Sequence, residues 1–193
     1  MESLALSFSS GWASGVNAYL VVLVLGIADR LGDFSSIPDT LGRTDVLVAA
    51  AVLYVVEFVI DKIPFLDSTW DAVSTVIRPA IGTAIALLVS GDATSVQQAA
   101  YGALGGGTAL ASHLVKAGGR LAINASPEPV SNVVASLGED AAVVGVVLLA
   151  IQHPRVALVV AAVLLVAGGY VVHHLLRLVR RGWRRWKGRP APA

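Results

Sequence analysis

The sequence predicts an all-α fold, a polytopic bundle of about six transmembrane helices, and three observations carry that prediction. Of the 193 residues, 55% are hydrophobic and only 14% charged, with a mean hydropathy of +0.74. Soluble domains carry roughly 25% charged residues, so a fold of this size could not cover itself against water, whereas lipid tails solvate apolar side chains directly. The apolar stretches are parted by polar segments that carry Pro or Gly, at intervals that leave room for about six helices. The last of them, about Val156 to Leu178, opens with a clean apolar run of the length a span requires.

Read in order, helix one covers roughly Gly11 to Ala28, with Trp12 placed as an interface anchor. No Lys or Arg precedes it, so it lacks the positive flank of a cleaved signal and is expected to be retained. Asp29 to Asp45, with Gly32, Pro38 and Gly42, reads as a loop. Helix two runs from about Val46 to Lys62 and stops before Pro64. Helix three, about Asp71 to Ser90, is closed by Gly91-Asp92, with Ser68 or Thr69 as the expected N-cap. Helix four, about Val96 to Ile123, carries Gly102, Gly105, Gly106 and Gly107, read as a close-packing face. The segment Asn124 to Pro129 interrupts the helical pattern, and helix five follows from about Ser131, a candidate N-cap along with Asn132, to Ile151. Gln152-His153-Pro154-Arg155 turns the chain into helix six.

Helices three and five hold only about eleven uninterrupted apolar or small residues, where a span needs about 20. Their polar halves must therefore reach membrane depth, or the helices are partly re-entrant. The chain is expected to form one transmembrane domain, residues 1–178, with a basic cytoplasmic tail at 179–193. Within it, the hairpins 46–90 and 96–151 can be superposed as a parallel internal repeat, with Pro64 on Pro127, Ser68 on Ser131 and Gly82 on Gly145. The Lys and Arg distribution puts both termini in the cytoplasm, because that side then receives Lys62, Arg78, Lys116, Arg120 and the tail.

Charged residues within apolar helices are the candidate site. Glu57 and Asp61 are four apart and share one helical face, and His113, Lys116 and Arg120 share another. Arg78 immediately precedes Pro79 on helix three, and Glu139 and Asp140 lie on helix five. A charge at the bilayer centre costs at least about 2.5–3.5 kcal/mol, so such groups turn inward and find partners. The expected pairs are Glu57 and Asp61 with Lys116 and Arg120, and Arg78 with Glu139 and Asp140. In that arrangement Glu57 and Asp61 would bind a cation or proton, and Arg78, Lys116 and Arg120 an anionic group. The competing structural reading makes the same groups salt bridges that lock helices together, and it is the better one for Lys62, which can snorkel. The linkers add Asp67, Asp71, Asn124, Ser126, Glu128 and Asn132. Asn17, inside helix one, fits an interhelical hydrogen bond as well as a substrate contact. In the tail, Arg180, Arg181, Arg184, Arg185 and Lys187, interleaved with Trp183 and Trp186, suit anionic lipid headgroups rather than nucleic acid.

The absence of Cys excludes disulfides and thiol chemistry. Phosphate-cradling, zinc-protease and nucleophile-elbow motifs are also missing, so no cofactor, metal site or catalytic residue is expected and no enzymatic activity is assigned. His173-His174 lacks further ligands.

Several segments resemble one bacterial membrane family. These are Gly11-Trp12-Ala13-Ser14-Gly15-Val16-Asn17-Ala18-Tyr19, Asp61-Lys62-Ile63-Pro64 through Asp67-Ser68-Thr69-Trp70-Asp71, Ile77-Arg78-Pro79, and Ser126-Pro127-Glu128-Pro129-Val130-Ser131-Asn132. The chain is similar in these segments to the family catalogued as domain of unknown function 4126. The resemblance implies a multi-pass protein of bacterial type, hence the bacterial cytoplasmic membrane, and no activity. Three functions follow as expectations: a small secondary transporter or channel-like permease with its site between the hairpins, a lipid-handling protein or enzyme using Asp61, Asp67 and Asp71 at headgroup level, or a non-catalytic scaffold. Membrane lipids, and a small ion or anionic substrate, are the expected partners, with self-association into a homo-oligomer left open.

Overall fold

In the computed structural model the described residues are 2–32, 34, 36–63, 65–125 and 129–187, with the side chains of 129, 180 and 182–187 outside the description. They form six helices: α1 Glu2–Leu31, α2 Thr44–Ile60, α3 Leu66–Val89, α4 Ser95–Asn124, α5 Pro129–Gln152 and α6 Pro154–Lys187. Four of these, α1, α3, α5 and α6, are long and apolar enough to cross a membrane. With 17 residues, α2 sits at the lower end of the range for a span. Helix α4 is diluted by glycines and by His113, Lys116 and Arg120, and it can be, because these lie on the face that packs along α1 and α3, while Leu110, Leu114 and Leu121 form its outward side.

α1 is the centre of the bundle and packs against all five other helices. Its most apolar window is 72% buried, against 11% for α6, so α6 presents its apolar side chains outward, as a lipid-facing helix does. Small residues allow the central helices to approach closely. A methyl group added at Gly15 would collide with the Ala109 carbonyl and the Ser112 hydroxyl, and one at Gly105 would lie 2.6 Å from the Gly82 carbonyl oxygen. The glycines of α4 thus serve packing, as the sequence suggested, except Gly107, around which a methyl group would meet nothing within 4 Å.

The helix ends follow local chemistry, with some departures from expectation. Thr94 caps α4 in a reciprocal capping box with Gln97. Gly91, at φ +52, ends the turn after α3, where a left-handed conformation favours glycine. α3 starts earlier than expected, so Ser68 and Thr69 lie inside its first turn, and Phe65, at φ +69, holds the cap position without a side-chain bond. Asp67 and Asp71 are accordingly helical rather than linker residues. α5 likewise starts at Pro129, which suits the first helical position, so Ser131 and Asn132 are within the helix. Both α3 and α5 are single 24-residue helices, so their polar halves supply the missing span length. α6 runs 34 residues to Lys187, because Arg, Lys and Leu are good helix formers and the basic segment extends the helix instead of ending it.

α1 departs most from its expected form. It extends over 30 residues and is broken in its middle, where Asn17 has extended backbone angles (φ −150, ψ 95). The Asn17 side-chain oxygen accepts from the backbone N–H of Leu20 at 3.0 Å, so Asn17 is the N-cap of a second half-helix.

Candidate functional site

The break at Asn17 exposes the ends of two half-helices to the side chains around them. The first half ends in carbonyls that carry partial negative charge. Lys116 donates to the Val16 carbonyl at 3.0 Å, Arg78 to that of Gly15 at 3.3 Å, and Ser112 to that of Trp12 at 2.7 Å. The second half begins at Asn17, whose amide nitrogen donates to Asp140 at 2.9 Å, which brings a carboxylate to the positive helix end. Tyr54 of α2 donates to the other Asp140 oxygen at 3.3 Å.

Three cations organise the surroundings. Arg78 contacts Glu57 at 2.5 Å and Asp71 at 3.1 Å, and it donates to His113 Nδ1 at 2.8 Å. A guanidinium has only donors, so Nδ1 must be the acceptor and the His113 proton sits on Nε2, which donates to Thr75 Oγ1 at 3.0 Å. His113 is therefore held neutral in a defined tautomer. Lys116 contacts Asp61 at 2.6 Å, Glu139 at 3.5 Å and Glu57 at 3.6 Å. Arg120 contacts Glu139 at 2.6 Å and Asp61 at 3.6 Å, and it donates to the Asp61 carbonyl at 2.8 Å. Beyond it, Asn132 donates to Asn124, and Asn124 donates to Asp67 and to Ser68. From His113 to Asn124 this polar file follows α4 for about 16 Å at 1.5 Å per residue, roughly half the ~30 Å hydrocarbon thickness.

Burial makes the file electrostatically unusual. Glu57, Asp61, Asp67, Asp71, Arg78 and Arg120 are each at most 3% exposed, and Lys116 is 6% exposed. Glu139, with 23% of its side chain exposed, is the one carboxylate of the ion-paired group with appreciable exposure. Five carboxylates, Glu57, Asp61, Asp67, Asp71 and Glu139, thus share three cations. Desolvated charge costs several kcal/mol per ion unless it is compensated, and the file carries an excess of acids. Among the described residues, Glu57 Oε2, Asp61 Oδ1 and Asp71 Oδ2 are buried without a hydrogen-bond donor. No three His, Asp or Glu side chains converge as a metal-ligand set among those residues. Outside the membrane-facing core, the Arg43–Asp45 pair at 2.8 Å is solvent-exposed, and its hydrogen bond holds the Asp45 carboxyl below its usual range.

The structure brings the sequence-selected charges together but changes their partners. Arg78 does not pair with Glu139 or Asp140; it takes Glu57 from α2 and Asp71, seven residues back on its own face of α3. Glu139 instead meets Lys116 and Arg120 on α4, and Asp140 turns to Asn17 and Tyr54. Glu57 does pair with Lys116, whereas Arg120 lies one turn further along α4 and reaches Asp61. Lys62 sits outside the network, its ammonium 3.0 Å from the Phe58 ring centroid. Ser126 and Glu128 fall outside the described residues, as do the side chains of Arg180, Arg184, Arg185 and Lys187, and Arg181 is exposed. The break in α1 and the coordination of His113 were not read from the sequence. An Asn two residues after Gly15, inside an otherwise apolar helix, is the signal that could have indicated the former.

Five helices around a broken central helix, with charge gathered at the break, define an integral membrane protein of the helical-bundle class. More particularly, the chain belongs to the family described as domain of unknown function DUF4126, whose model matches residues 4–174. Among curated proteins and among solved structures, nothing matches.

Proposed function

We propose that the protein is a small secondary transporter of the bacterial cytoplasmic membrane, with protons as the coupling ion and the polar file beside Asn17 as its site. One observation carries the proposal: α1 is interrupted inside the bundle next to a buried excess of carboxylates. Discontinuous helices whose ends face ionic groups near the bilayer midplane are a recurring device of transporters. The acid excess favours uptake of positive charge, and a proton can reach the donorless oxygens of Glu57, Asp61 or Asp71 without further ligands. The site lies between the hairpins 46–90 and 96–151, which contribute Glu57, Asp61, Asp67, Asp71 and Arg78, and Lys116, Arg120 and Glu139, respectively.

A route from the opposite side is supported by two features. A cavity of about 410 Å³ is lined by Glu2, Leu6, Pro38 and Gly91 near the start of α1. Between it and Asn17, Ser7, Ser10 and Ser14 follow helical spacing and are fully buried, with hydroxyls that have no hydrogen-bond partner among the described residues. The basic end of α6 is proposed to face the cytoplasm, held at anionic headgroups; Glu2 shares its cavity with Pro38, Gly91 and Pro154, which argues for a start of α1 on the opposite side.

The test is the dissipation of an imposed pH gradient in proteoliposomes containing a pH-sensitive dye, on addition of each of a panel of inorganic and organic ions. With at least one of them the wild-type protein should dissipate the gradient at least tenfold faster than Glu57→Gln. A wild-type rate equal to that of empty vesicles would refute the proposal and favour the scaffold reading, which the pairing of all three cations supports.

A further inference from the structure

A second cavity borders the polar file. Its volume is about 360 Å³, within the usual range for small-molecule sites, and it is formed by α1, α4, α5 and α6. Its walls are apolar apart from Ser112, Lys116 and Glu139. Trp12 lines the cavity on α1, and Gly119 and Gly168 thin the walls contributed by α4 and α6.

The two charged groups at this cavity are not equivalent. Lys116 has 2% of its side chain exposed and is already surrounded by Asp61, Glu57 and Glu139 within 3.6 Å. Glu139 has 23% of its side chain exposed and belongs to a network in which acids outnumber bases. A ligand entering here therefore meets available negative charge, an indole and aliphatic walls. Aromatic faces attract cations, most strongly where water is excluded.

We infer that this cavity binds an amphiphilic monocation, a molecule with an apolar or aromatic body and one ammonium-like or phosphonium-like centre, with Glu139 as its counter-charge. An anionic amphiphile is disfavoured, because it would have to displace carboxylates from Lys116. The inference rests on the transport reading only for its role, as the substrate exchanged against protons; the binding itself requires no transport.

The experiment separates the two. Tetraphenylphosphonium and tetraphenylborate have nearly the same shape and opposite charge. Their equilibrium binding to the purified full chain in maltoside micelles should differ by at least tenfold in favour of tetraphenylphosphonium, after subtraction of micelle partitioning. Glu139→Gln should weaken tetraphenylphosphonium binding at least tenfold. Gly119→Leu should do the same by filling the cavity, since a Cβ at Gly119 meets Val172 only at 3.8 Å and leaves the ion pairs untouched. Equal or tighter binding of tetraphenylborate, or only non-saturable partitioning of both ions, would overturn the assignment whether or not a variant folds. Saturable tetraphenylphosphonium binding without proton flux would leave the cavity standing and remove the transport reading; flux without such binding would do the reverse.

Discussion

Arg78 Nη2 lies 2.5 Å from Glu57 Oε1, and both side chains are at most 1% exposed. Glu57 and Ala50 are the buried residues of α2, so a helix otherwise turned outward or half-buried places one carboxylate at the centre of the bundle. That carboxylate meets a guanidinium already tied to His113 and to the end of the first half of α1.

Removing Arg78 leaves two buried carboxylates short of their cation, which typically costs about 3–5 kcal/mol, whereas removing Glu57 leaves Arg78 paired with Asp71 and should cost less. Glu57→Gln and Arg78→Gln should each lower the thermal unfolding midpoint in detergent. The exchange Glu57→Arg with Arg78→Glu should recover part of the loss. An exchange of Glu57 with Arg120 should not, because Arg120 draws on Asp61 and Glu139. Recovery in the second exchange and not in the first would mean that the pairing is misassigned.

Asn17→Ala removes an N-cap, worth about 1 kcal/mol, and the hydrogen bond to Asp140. Hydrogen exchange should accelerate at the amides of residues 18–20 while α4 keeps its protection. Asn17→Asp should be worse, since it sets a second carboxylate against Asp140. Unchanged exchange in Asn17→Ala would show that the break does not depend on this side chain.

The α3–α4 contact makes a paired prediction. Gly105→Val places atoms against the Gly82 carbonyl and Ala86 and should destabilise by about 1–3 kcal/mol, as overpacking does. Gly107→Ala meets open space and should be neutral or stabilising by up to about 1 kcal/mol through helix propensity. Chemical denaturation in mixed micelles reads both.

The basic end of α6 should bind anionic lipid. Replacing Arg180, Arg181, Arg184 and Arg185 with Gln should weaken partition of a peptide spanning residues 175–193 onto phosphatidylserine vesicles by about 1 kcal/mol per charge. Its partition onto neutral vesicles should be unaffected. An equal loss on both surfaces would point to the tryptophans instead.

His113 offers a check on the tautomer. His113→Gln can still accept from Arg78 and should fold, whereas His113→Phe leaves a guanidinium donor unmet at the buried centre and should lower the unfolding midpoint further. Equal midpoints would mean that Arg78 does not depend on this acceptor.

The sequence by itself determined the class of protein, the number of helices and the burial of the charges that interrupt apolar helices, but not that of Asp67 and Asp71, which it left at headgroup level and the structure buries. Hydropathy, Pro and Gly act within a few residues, and Glu57, Asp61, Lys116 and Arg120 stand out because each interrupts an apolar helical face. Only the tertiary structure decided who pairs with whom. Partner choice depends on the rotation of each helix about its axis and on its depth relative to its neighbours. One residue changes the facing by about 100°, so Asp140 reaches Asn17 while adjacent Glu139 reaches Arg120. The break in α1 was decided at the same level. Asn17 leaves the helix where its cap, the Asp140 carboxylate and the cations bonded to the Gly15 and Val16 carbonyls together replace the backbone bonds that a continuous helix would have supplied.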